Sequence, residues 1–188
     1  MCKRRCAWVT EDPLYQQYHD QEWGQPVYED LKLFEFLILE GQQAGLSWIT
    51  ILKRRQGYRA AYCQFNPEKI ARFNQQDYDR LMQNTGIIRN RRKVAAVIQN
   101  AKAYLRCAEQ GRSFSQLLWQ VVDGNPVINH WSQAEEVPVM TEQSKQMSSQ
   151  LKKCGFTFVG PTICYAFMQA VGMVWDHTQD CFLSRASA

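Results

Sequence analysis

Residues 29–48 run Glu29-Asp30-Leu31-Lys32-Leu33-Phe34-Glu35-Phe36-Leu37-Ile38-Leu39-Glu40-Gly41-Gln42-Gln43-Ala44-Gly45-Leu46-Ser47-Trp48. The spacing predicts a helix from Glu29 to Gln43. Its segment Leu31–Leu39 is apolar on nearly every side, so this helix is expected at the centre of the molecule. The punctuation on either side of it is helical throughout. Asp12-Pro13 has the form of an N-cap followed by proline at the first helical position, opening a short helix to about His19. Ser47 stands where it would cap a helix running to about Phe65, Asn66-Pro67 starts another, and Asn74 caps one ending near Asn84. From Arg91 to Gln110, Val94, Val97, Ile98, Ala101 and Leu105 recur at helical spacing, and Gly111 ends the run. Ser113 opens a helix through Val122, and Thr141 caps one ending at Cys154-Gly155. Pro161 and Thr162 begin a nearly all-apolar helix to about Val171. Residues 127–140 read as irregular, with room for one short helix. Strand-like alternation is nearly absent, and the chain reads as all-α.

The chain has 188 residues, 45% of them apolar, enough for one domain with a substantial core. That composition excludes disorder as the main state. The longest unbroken apolar run, Ile163–Met168, is too short to span a bilayer. The basic start, Met1 to Cys6, has no apolar stretch behind it, so no secretory signal is expected and the location is expected to be cytoplasmic. The 7 cysteines are scattered, as reduced thiols or metal ligands would be. The net charge of +4 conceals an asymmetry: residues 1–52 carry −4, residues 53–112 carry +10 and residues 113–188 carry −2. A basic middle third suits an anionic partner such as nucleic acid, and equally a set of solvated arginine-rich helix faces.

Three constellations stand out. Cys6, His19, His177 and Cys181 sit near the two ends, and a Cys2His2 set is a common structural zinc arrangement. His177 and Cys181 are spaced i and i+4, which on a helix puts both on one face. The same residues fit two ordinary histidines and two buried thiols. Second, Trp8, Tyr15, Tyr18, Trp23, Phe34, Phe36 and Trp48 surround Glu40 in sequence. A carboxylate among aromatic rings suits a flat cationic ligand; a tryptophan-rich core with Glu40 facing water is the plainer alternative. Third, the connections Gln83–Arg89 and Cys154–Thr162 are short and contain glycine. The second could offer backbone N–H groups and a helix start to a phosphate, or simply turn a helical corner.

The segments Cys6-Ala7-Trp8, Tyr18-His19-Asp20, Glu22-Trp23-Gly24, Leu39 to Trp48, Gly86-Ile87-Ile88-Arg89, Phe158 to Tyr165, and Asp176-His177 with Cys181 resemble the bacterial DNA-3-methyladenine glycosylase I family, in the family's order. The resemblance implies a single helix-hairpin-helix DNA glycosylase domain over residues 1–188. In it a terminal lobe (1–50 and 113–188) is joined by zinc, and a basic helical lobe spans about 51–112. It implies Cys6, His19, His177 and Cys181 as ligands of one structural zinc. It implies Trp8, Tyr18, Trp23, Glu40 and Trp48 at the methylated-base pocket, with Glu40 the candidate catalytic carboxylate. It also implies the Gly155–Thr162 connection, with Gly155, Gly160 and Thr162, as the DNA-binding hairpin, and Gly45-Leu46 as the wedge into the base stack. The partner implied is double-stranded DNA containing alkylated bases, acted on by a monomer. Strand-cutting relatives use a lysine just inside the hairpin; Phe158 to Tyr165 contains none, so a monofunctional enzyme is expected. Asp176 lies near the place of the aspartate that many helix-hairpin-helix glycosylases use, and is a further candidate. Trp175 departs from the small polar residue, usually Asn, that precedes that Asp-His pair in the family, a change expected to bear on packing beside the metal. Other readings of the same pattern are a non-catalytic binder of alkylated DNA and a zinc-stabilised helical nucleic-acid-binding module.

Overall fold

A computed structural model describes residues 3–109 and 111–185. Its helices are α1 (Pro13–Gln21), α2 (Asp30–Gln43), α3 (Trp48–Leu52), α4 (Arg55–Ala61), α5 (Pro67–Ala71), α6 (Gln75–Gln83), α7 (Arg91–Glu109), α8 (Phe114–Trp119), α9 (Glu142–Lys153) and α10 (Pro161–Ala170). The caps read from the sequence form as expected at most starts. Asp12 accepts from Leu14 N–H, and Asn66 accepts from Lys69 N–H. Asn74, Ser113 and Thr141 each build a reciprocal capping box with the residue three positions on.

Helix α2 lies in the centre, packed against α3, α7, α8 and α10. Leu33, Phe34, Leu37, Ile38 and Leu39 on it are buried on all sides, as its unbroken apolar segment requires. Helices α9 and α10 pack against each other, joined by the connection Cys154–Gly160. Two differences from the sequence reading have physical causes. The helix expected from Ser47 to Phe65 is broken at Lys53-Arg54 and ends in a left-handed turn, with φ of 52°, 57° and 55° at Cys63, Gln64 and Phe65. Nor does Ser47 cap α3 through its backbone; its hydroxyl pairs with Thr50 Oγ1 at 2.8 Å. The break lets Arg55 turn inward to bind both Glu22 and Glu35, and lets α4 lie directly on the loop before α7. The second difference is a small parallel pair, β1 (Val127–Ile128) with β2 (Val174–Trp175), in register Val127–Val174 and Ile128–Trp175. At two residues each, these strands are too short to leave an alternating pattern.

The α4 contact depends on glycine. A Cβ on Gly57 would overlap the backbone carbonyl of Gly86, which cannot swing aside as a side chain would. Gly57→Ala is therefore expected to cost about 2 kcal/mol and to lower the melting temperature by roughly 4–8 °C in a thermal unfolding scan. An unchanged melting temperature would reject the close approach.

Candidate active site

Glu40 sits in the last turn of α2, on the wall of a cavity of about 460 Å³. Its carboxyl is buried, and among the described residues it has no hydrogen-bond donor. Burial alone lifts it to about 8, because removing water disfavours the charged form. Around it stand the rings named from the sequence. Trp8 packs on Tyr15 (5.0 Å between centroids) and meets Trp23 edge to face (5.1 Å); Tyr18 leans on Trp48 at 5.4 Å. Burial and then the Glu40 charge push the Tyr18 phenol well above its ordinary range. The indole N–H of Trp48 is buried without an acceptor. Trp8, Tyr18, Trp23, Glu40 and Trp48 thus line one cavity, together with Tyr15, Gln43 and Thr162, while Val137, Pro138 and Val139 lie at its rim.

The back wall is built around Asp176, which the sequence marked as a candidate without showing its partners. Asp176 accepts four hydrogen bonds: from Asn129 Nδ2 (2.7 Å) and Trp131 Nε1 (2.8 Å) on one oxygen, and from Tyr165 Oη (2.6 Å) and Gln169 Nε2 (2.8 Å) on the other. Both oxygens are engaged in ordering the wall. Asn129 and Trp131 follow β1, and a two-residue strand is too short to announce itself in the sequence.

Behind the aromatic walls, Cys6, His19, His177 and Cys181 converge, all buried, with their ligand atoms within 4.8 Å of one another. His177 Nδ1 lies 3.5 Å from Cys6 Sγ and 3.4 Å from Cys181 Sγ, and His19 Nε2 lies 3.5 Å from Cys181 Sγ. The grouping follows the sequence reading, but the geometry corrects its means: His177 and Cys181 lie on a turn, closed by Cys181 N–H to Thr178 C=O at 2.9 Å, and not on a helix. Hydrogen bonding from Cys6 holds the Cys181 thiol far below its ordinary range and raises Cys6 correspondingly, so the pair favours a thiolate. Asp20 fixes the other ring nitrogen of His19 at 2.8 Å and is itself gripped through two bonds by Arg5, which lowers its carboxyl further. A buried donor set of two sulfurs and two imidazoles is one that could hold a metal ion. Its rings also carry the cavity wall: Trp23 stacks on His19 (6.1 Å) and stands edge-on to His177 (4.7 Å). Trp175 packs 4.7 Å from His177 and is covered by Arg185, so the departure noted there closes the cluster from outside without altering the ligands.

A methyladenine glycosylase family profile matches residues 8–184. The chain belongs to the methyladenine glycosylase family. It is 52% identical over 177 residues to the DNA-3-methyladenine glycosylase of Haemophilus influenzae, covering 94% of this chain and 96% of that protein. It is also similar to a crystal structure of 3-methyladenine DNA glycosylase I, with a TM-score of 0.95 and 52% identity over 96% of this chain and 100% of the other. A variant of 3-methyladenine DNA glycosylase I in complex with 3-methyladenine gives a TM-score of 0.90 and 41% identity, covering 94% and 95%.

Between Gln43 and Trp48, which line the cavity of this glycosylase, the loop after α2 leaves Gly45, Leu46 and Ser47 exposed, with Leu46 39% accessible. The α9–α10 connection carries Gly155 at φ +91° and Gly160 as the residue that opens α10, followed by exposed Thr162.

The Glu40 carboxyl yields a signed test. In the folded chain it binds a proton up to about pH 8, whereas an unfolded glutamate does so only to about 4.3. The folded state therefore loses stability relative to a non-titrating residue as pH rises between those values. Glu40→Gln is expected to match the wild type near pH 4 and to exceed it by on the order of a few kcal/mol above pH 8. Paired melting curves across that range check it; a constant difference would mean that the carboxyl is solvated.

Proposed function

We infer that this chain is a monofunctional DNA-3-methyladenine glycosylase, which extrudes the lesion from duplex DNA and hydrolyses its N-glycosidic bond. The observation that carries this reading is the donor-free carboxyl of Glu40 facing an aromatic cavity. Adenine methylated at N3 carries a positive charge. Such a base gains cation–π attraction from the rings and a counter-charge from Glu40, whose ionisation it favours; unmodified adenine gains neither. The buried indole N–H of Trp48 is available to a ring acceptor. The charged base is already a good leaving group, so the site's task is selective binding and orientation more than proton donation. Flipping costs a few kcal/mol, least for a damaged base. Leu46, exposed on its loop beside the cavity, would fill the vacated space in the stack.

In the same reading the hairpin from Gly155 to Thr162 holds the DNA backbone through main-chain N–H groups. Arg89, Arg91 and Arg92, all exposed, supply part of the attracting field. The Cys6, His19, His177 and Cys181 set fits zinc. Ligand bonds of about 2.0–2.3 Å give tetrahedral S–N edges of about 3.5 Å, against distances here of 3.4–3.5 Å. Four protein ligands leave no coordination site for water, so the ion would be structural, tying the chain ends together under the aromatic wall.

Purified protein is expected to release free 3-methyladenine from alkylated duplex DNA, and Glu40→Gln to lose about tenfold or more in kcat/KM, the equivalent of one hydrogen bond to a charged group. Tight binding with no base released over hours would establish a non-catalytic binder instead. Elemental analysis is expected to find about one zinc per chain, with Cys181→Ser lowering both zinc content and melting temperature. An unchanged metal count in that variant would reject the site.

A further inference from the structure

The loop carrying Leu46 and the hairpin carrying Gly155 are far apart in sequence, yet both are fastened to one helix. On α7, buried Lys93 donates from Nζ to the carbonyls of Gln42 and Ala44, each at 2.7 Å. These are among the last carbonyls of α2, and the exposed loop leaves directly from them. Gln42 returns a bond from Nε2 to the Lys93 carbonyl at 3.3 Å. Seven residues on, buried Asn100 clasps the hairpin through both backbone groups of one residue: its Nδ2 donates to Thr157 C=O at 3.0 Å and its Oδ1 accepts from Thr157 N–H at 2.8 Å. Gln99 adds a bond to the Gly155 carbonyl. Two helical turns put Lys93 and Asn100 on the same face, about 10.5 Å apart along the axis. Among the described residues, no carboxylate forms an ion pair with the Lys93 ammonium, so its bonds are spent on the loop's backbone.

We propose that α7 is a rigid strut that fixes the spacing between the wedge loop and the hairpin, with Lys93 the positioning residue that holds Leu46 at its insertion angle. The proposal rests on the base-flipping reading above. Holding the hairpin at Asn100 and the wedge at Lys93 converts a grip on the phosphates into a fixed depth for Leu46. Displacing a reacting geometry by about 1 Å is enough to cost up to about a hundredfold in rate.

The test is a double-mutant cycle on single-turnover excision of 3-methyladenine from duplex DNA, using Lys93→Met, Leu46→Ala and the pair. Each single change is expected to slow excision about tenfold, and the pair to be no slower than the worse single variant, because both remove the same wedge. Binding of free 3-methyladenine, read from tryptophan fluorescence, is expected to stay at the wild-type level in Lys93→Met, which a general loss of structure would not allow. If that variant does not fold, Lys93→Gln, too short to reach both carbonyls, takes its place. Losses that multiply in the pair, or a Lys93 variant at the wild-type rate beside an impaired Leu46→Ala, would overturn the strut. Leu46→Ala at the wild-type rate would instead remove the wedge reading on which it stands.

Discussion

Burying the Glu40 carboxyl without a donor costs free energy, and most of the molecule can be understood as what makes that burial tolerable. The residue ends an apolar helix with four neighbouring elements packed on it, so the position cannot relax toward water. The rings that desolvate it are held from behind by the histidines of the Cys/His cluster, and the opposite wall is stiffened by the four donors on Asp176. A carboxyl kept in this way responds strongly to a cation and weakly to a neutral ring. In the proposed function, selectivity for a charged base would follow from dehydration, before any particular hydrogen bond is considered.

The charge distribution shows two opposed electrostatic demands met in different parts of one surface. The basic stretch from Lys53 to Arg112 supplies α7 and its exposed arginines, while the cavity belongs to elements with few cations. Arg55, which lies close to the aromatic region, is neutralised by Glu22 and Glu35 and cannot repel a cationic base. A net charge of +4 describes neither surface.

Much of this was legible in the sequence, for identifiable reasons. Helix starts were readable because caps are local: Asp12-Pro13, Asn66-Pro67, Asn74, Ser113 and Thr141 act on backbone groups two or three residues away. The helix expected past Lys53 is broken where Arg55 meets Glu22 and Glu35 and Gly57 meets Gly86, partners distant in sequence that no local pattern announces. The Cys/His set was identified by residue type, and the i and i+4 spacing of His177 and Cys181 was weighed as it would lie on a helix; that spacing does not separate a helical turn from a loop with the same reach. Asp176 drew notice as an acid near a conspicuous place in the chain. Its four partners come from two separate segments, the stretch after β1 and helix α10, and no linear pattern joins these to each other.

The cluster that backs the cavity takes Cys6 and His19 from the beginning of the chain and His177 and Cys181 from its end. This has a consequence for biosynthesis. The aromatic residues at positions 8, 18 and 23 emerge from the ribosome long before the His177 imidazole and Cys181 thiol of the cluster behind them. A nascent chain can complete its central helix and its basic helices long before it has a cavity wall. The cavity's backing is therefore completed only after the turn from His177 to Cys181 is released.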